Sequence, residues 1–195
     1  PPRAQDPLPP PGGFAITRPL DRLVTWSDQY RTRMDAYSPD PATVPAPSTG
    51  WPTVLVIHGK GGRRSNATIV RRCEYLARRG YVTLAYDVRG DGDTVALNPG
   101  QGAGSSSRRV LDVAEAYFVA KQNLRGLMDS ARLGITGWSM GAGFSLDAAS
   151  FSGQTLPNSA GGYVQRMPIL RAAVPDINVL DQPTDYVPGG VMFQT

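Results

Sequence analysis

The chain has 195 residues, 41% of them hydrophobic and 18% charged, and a formal net charge of +4. These values fit one globular domain with a real core and exclude a chain disordered throughout. No apolar run approaches the roughly 20 residues that a membrane span needs, and a lone cysteine, Cys73, cannot form an internal disulfide. The positive charge is almost all arginine, because Lys60 and Lys121 are the only lysines. It falls in pairs such as Arg63-Arg64, Arg71-Arg72 and Arg78-Arg79, with no aromatic-basic motif beside them. That pattern reads as the solvated face of a helix and argues against a nucleic-acid partner.

In chain order, residues 1–19 read as a Pro-rich arm and residues 20–195 as one domain. The start at Pro1-Pro2-Arg3 has no Met and no apolar targeting region, which suits a mature N-terminus left after signal removal. Secretion or a periplasmic location is therefore expected, with the cytoplasm as the alternative. The stretch "RLVTWSDQYRTRMDAYSP" suggests two antiparallel edge strands turning at Ser27-Asp28-Gln29. Thr53 to Ile57 is a continuous aliphatic and β-branched run, the pattern of a strand buried on both faces. Asn66 to Arg79 is an amphipathic helix ended by Gly80, with Cys73 on its apolar face as a small hydrophobe. A second buried strand, "YVTLAYDV", leads into the Gly-Asp loop "RGDGDT", and strand, helix, strand implies a parallel pair.

A long Gly-rich loop from Asp91 to Ser106 comes next. Ser107 is the expected cap of a helix that carries Val110, Val113, Tyr117, Ala120 and Leu124 at helical spacing. Leu133 to Trp138 then reads as a strand, Met140 to Ser150 as a helix, Ser152 to Gly162 as a loop, and "MPILRAAVPD" as a last strand. The whole implies an α/β fold, a mostly parallel sheet with helices on both faces. Its functional loops gather at the carboxyl ends of the strands.

Gly137 to Gly141, "GWSMG", matches G-x-S-x-G in a strand-turn-helix setting, which makes Ser139 the candidate nucleophile. The backbone N–H of Met140 is placed to hold the oxyanion of a tetrahedral intermediate. The second donor is expected in "HGKGGRR", from the N–H of Lys60 or alternatively Gly61, with Gly59 also open. His58 reads as a brace for that loop and not as the base, since the triad order in this kind of fold is Ser, acid, His. Lys60 as a base in a Ser–Lys arrangement is a lesser alternative. Asp87, Asp91 and Asp93 alternate with glycine, but no acidic residue closes a twelve-residue calcium loop, so no metal is expected. Asp87 and Arg89 are expected to pair and pin this loop.

These residues resemble the α/β-hydrolase superfamily. Within it they resemble the branch of cocaine-esterase-like and Xaa-Pro dipeptidyl-peptidase-like enzymes and prolyl-oligopeptidase-type hydrolases. The likeness is carried by "DAYSP" before a buried strand, by "DVRGDGDT", by "GITGWSMGAG" and by "AAVPDINVLD". It implies a serine hydrolase that acts on an ester or amide of a small-molecule or peptide substrate through an acyl-enzyme, without a cofactor. An acyltransferase or a non-catalytic binding module on the same fold are the alternatives. The acid and His of such enzymes follow the last strand visible here, so the C-terminal strands are expected to be missing from this chain. Asp176 is the candidate acid, with Asp181 and Asp185 weaker. The catalytic His is expected from a C-terminal segment or companion chain, after processing near Thr195, and the chain by itself is expected to be nearly inert.

Overall fold

The computed structural model describes residues 6–156 and 165–176, except for the side chains of residues 106, 107, 156, 165, 175 and 176. Its strands and helices are, in order, β1 (Ile16–Thr25), β2 (Arg31–Pro39), β3 (Trp51–Ile57), α1 (Ala67–Ala77), β4 (Val82–Tyr86), α2 (Thr94–Leu97), α3 (Ser106–Asn123), β5 (Met128–Trp138), α4 (Met140–Ser150), β6 (Thr155–Leu156), β7 (Gln165–Arg166) and β8 (Leu170–Asp176). Six strands form one sheet in the order β1-β2-β4-β3-β5-β8, and β6 and β7 pair separately. The β1–β2 and β2–β4 pairs are antiparallel, whereas β3–β4, β3–β5 and β5–β8 are parallel. This is the α/β architecture with a mostly parallel sheet that the sequence implies.

Alternation along the strands sorts side chains between two layers of helix. Leu55, Ile57, Leu84 and Tyr86 join the larger core with Val110, Val113, Tyr117, Phe144 and Ala148 of α3 and α4. Val56 and Ala85 point the other way and pack with Ile69, Cys73 and Ala77 of α1. A strand buried on both faces has little room for polar residues, which is why β3 and β4 are apolar runs interrupted only by Thr53 and Thr83. Cys73 is fully buried, and burial pushes its thiol up to about 12, so it packs as a hydrophobe.

Several expectations change in detail. Ser105, not Ser107, caps α3, accepting the Arg108 N–H at 3.2 Å; in a run of serines the cap is the one that lies just outside the helix, facing the first-turn N–H groups. β5 begins at Met128, five residues before the buried run, because Trp51 pairs with Met128 across a register irregularity. The loop after Asp91 contains the single turn α2. β1 begins at Ile16, so a boundary before residue 20 cuts a strand. The arm also docks on the domain: Phe14 packs its ring on Trp51 at 5.6 Å, and buried Asp6 pairs with Arg132 at 2.5 Å. No described helix is long and apolar enough to cross a membrane.

Candidate active site

The carboxyl ends of β3, β4, β5 and β8 lie along one edge of the sheet. The register sets Ile57 beside Gly137, which brings the loop after β3 against the turn after β5. A Cβ built on Gly59 would lie 3.2 Å from the Ser139 Cβ and 3.0 Å from the Trp138 ring. The sequence separates these loops by about eighty residues, and the parallel β3–β5 pairing joins them.

Ser139 stands between β5 and α4 with φ 53° and ψ −119°. An L-residue in this region costs about 1–3 kcal/mol and persists only where its surroundings hold it there. Here the holding is done by close backbone packing that two missing side chains permit. A Cβ on Gly137 would strike the Gly141 carbonyl, and one on Gly141 would strike the carbonyls of Ile57 and His58. Bare backbone at both positions lets α4 start directly over β3 and β5, and the tight turn lifts Ser139 clear of the sheet, where it is exposed. Met140 is the first residue of α4, so its N–H has no carbonyl partner within the helix. Its Sδ lies 4.0 Å from an Arg109 guanidinium nitrogen.

The other wall is the segment from His58 to Arg64. Gly62 N–H donates to the Gly59 carbonyl at 3.0 Å, closing a four-residue turn. Gly61 has φ 71°, as the third position of a type II turn requires. Lys60 and Gly61 at its tip are exposed. Gly61 N–H, expected as the alternative oxyanion donor, is engaged: it donates to Asp91 Oδ1 at 2.8 Å.

His58 is buried and both ring nitrogens are used. Nδ1–H donates to the Gly59 carbonyl at 2.7 Å, and Nε2 accepts the Val88 N–H at 3.0 Å. These two bonds select the Nδ1–H tautomer. Burial lowers the His58 pKa from 6.5, against the raising effects of the Gly59 carbonyl and of Asp87 and Asp91. A neutral imidazole locked into backbone bonds is a brace, and its Nε2 is not open to a serine proton.

Arg64 is the buried centre of a charge cluster, which corrects its reading as part of a solvated pair. Its guanidinium reaches Asp87 at 2.8 Å, Asp93 at 2.9 Å and Asp35 at 3.2 Å, and its backbone N–H donates to Asp87 at 2.7 Å. Asp87 is therefore the partner of Arg64. Arg89 instead pairs with Asp112 at 2.5 Å and Asp28 at 2.8 Å, and lies over the Tyr30 ring. Proximity in sequence favours an Asp87–Arg89 pairing, but both residues lie beyond the end of β4 and each finds its partners on other elements. Among the described residues no group of three or more His, Cys, Asp or Glu could hold a metal ion.

β8 ends at Asp176, whose backbone pairs with Trp138 beside the nucleophile turn. Asp181 and Asp185 lie outside the described residues. Sequence reasoning missed Arg64 and Asp91 as site-forming residues; the only signal was their place in the two strand-end loops.

A sequence profile of the dienelactone hydrolase family matches residues 34–179, from β2 through the nucleophile turn and beyond β8. The chain belongs to this family. Solved structures agree on the fold. The α/β hydrolase GrgF from Penicillium sp. sh18 superposes with a TM-score of 0.52 at 19% identity, covering 71% of this chain and 43% of that one. Thermogutta terrifontis esterase 2, in a structure phosphorylated by paraoxon, gives 0.53 at 18% identity, covering 80% and 56%. The Pyrococcus furiosus esterase Pf2001 gives 0.50 at 24% identity, covering 70% and 47%. The chain covers 43%, 56% and 47% of the length of these three structures. No curated protein matches it. Family and fold together give the chain the α/β-hydrolase architecture.

Proposed function

We propose that this chain carries the nucleophile and oxyanion donors of a serine hydrolase that cleaves an ester or amide through an acyl-enzyme on Ser139. The observation that carries this is the strained backbone of Ser139, at φ 53°, in a turn packed against Gly59 of the β3 loop. Strain of this kind concentrates where a side chain must be presented to a reactant. In this reading Ser139 Oγ attacks the substrate carbonyl as a base takes its proton. The N–H groups of Met140 and Lys60 then receive the oxyanion, its collapse breaks the ester or amide bond and expels the alcohol or amine with the proton the base took, and water later hydrolyses the acyl-enzyme. The Asp87–Thr94 loop keeps the cocaine-esterase-like and prolyl-oligopeptidase-type branch within the reading, since it lies beside this wall of the site.

The base is assigned to a further segment or companion chain, because His58, the one histidine in the sequence, is bound to Gly59 and Val88. The acid comes from the same source, with Asp176 as the residue this chain offers. A fluorophosphonate probe tests the reading: incubated with the native assembly, it is expected to label Ser139 and no other residue. Paraoxon, which phosphorylates the T. terrifontis enzyme, is a second reagent for the same experiment. Label elsewhere, or no label at all, overturns the assignment. If Ser139→Ala leaves every activity of the assembly unchanged, the fold serves instead as a binding module.

A further inference from the structure

The β3 loop is stitched to the loop after β4 at three points. His58 Nε2 accepts from Val88 N–H, Gly61 N–H donates to Asp91, and Arg64 binds Asp87 and Asp93. The first and third points hold the two ends of the segment. The middle depends on Asp91. Nothing lies within 4 Å of the position a Gly61 Cβ would take, so no packing restrains the tip.

A four-residue turn of this kind has a soft degree of freedom. Its central peptide, Lys60–Gly61, can rotate with little movement of its flanks, exchanging the directions of Gly61 N–H and Lys60 C=O. Glycine at position 61 makes both φ signs accessible, so the backbone alone does not choose. Asp91 does choose, because a carboxylate accepts an N–H and repels a carbonyl oxygen. Asp91 is itself held by its backbone: its N–H donates to the Val88 carbonyl at 3.0 Å, and its carbonyl accepts Thr94 Oγ1–H at 2.6 Å.

We propose that Asp91 is a positioning residue for the oxyanion loop: by holding Gly61 N–H it fixes the Lys60–Gly61 peptide in one of its two orientations and so rigidifies the tip that carries the Lys60 N–H. The proposal rests on the serine-hydrolase reading above. It gives the "RGDGDT" loop a role that neither metal binding nor simple loop closure supplies.

The test uses the native assembly with 4-nitrophenyl acetate turnover, fluorophosphonate labelling of Ser139, and hydrogen exchange at the Gly61 amide. In Asp91→Ala, kcat and the labelling rate are expected to fall about tenfold, with KM held within about twofold. Gly61 exchange should accelerate about tenfold or more, while the Val88 and Arg64 amides keep their protection. Asp91→Asn retains an acceptor oxygen and is expected to recover to within about threefold of wild type. Unchanged kcat and labelling in Asp91→Ala overturn the proposal, and so does loss of protection at Val88 and Arg64 together with Gly61, which would make Asp91 a general structural residue. A wild-type protein that takes no label at Ser139 overturns the hydrolase reading itself, whereas a labelled wild type with a fully active Asp91→Ala overturns the positioning role alone.

Discussion

The two walls of the site are held by opposite means. The β3 and β4 loops are fixed by added chemistry: a buried guanidinium with three carboxylates, an imidazole with two backbone bonds, and a carboxylate on a turn N–H. The turn around Ser139 is fixed by subtraction, through glycines whose missing Cβ atoms let α4 meet the backbone of β3. The comparison teaches that an irregular loop needs partners for its polar groups, while a strained turn needs close backbone packing that any side chain would block. The first wall should therefore fail by losing charges and the second by gaining atoms.

Arg64→Met tests the first wall most severely. It leaves Asp35 and Asp87 buried without their central partner and is expected to cost about 3–5 kcal/mol in denaturant unfolding. A loss below about 1 kcal/mol would show that the cluster does not hold the loops. Gly141→Ala tests the second wall by placing a methyl group against the Ile57 carbonyl. Because the obstacle is backbone, the expected cost is about 3 kcal/mol, and a neutral result would mean that α4 can slide away from β3.

Ser139→Gly sharpens the contrast, since it removes a side chain from a strained position. The melting temperature should rise, corresponding to about 1–2 kcal/mol of relieved strain, while fluorophosphonate labelling disappears. A less stable variant would place the strain elsewhere.

The last test concerns the His58 brace and appears only on acidification. The folded-state pKa of His58 lies below its ordinary 6.5, so below pH 6.5 the unfolded chain binds a proton that the folded chain refuses. Stability from this group is complete above pH 6.5 and is lost as pH falls, with a slope of at most about 1.4 kcal/mol per pH unit. His58→Gln should remove that slope from the difference between the two stability curves. Parallel curves from pH 8 to pH 5 would refute the brace.

Local pattern was enough for most of this protein. Near-continuous apolar runs marked β3 and β4, helical spacing marked α1 and α3, and α4 runs over Met140–Ser150 as its pattern implies. The G-x-S-x-G turn was legible because its signature is local, a serine with a glycine two residues away on each side. The tertiary structure alone decided which arginine meets which aspartate, that Ser105 is the cap, that β5 starts at Met128, and that Asp91 turns to Gly61. The physical reason is range. Periodicity and turn chemistry are set by neighbours a few residues apart, whereas the partner of a buried charge or of a loop N–H depends on which strand ends the sheet order brings together.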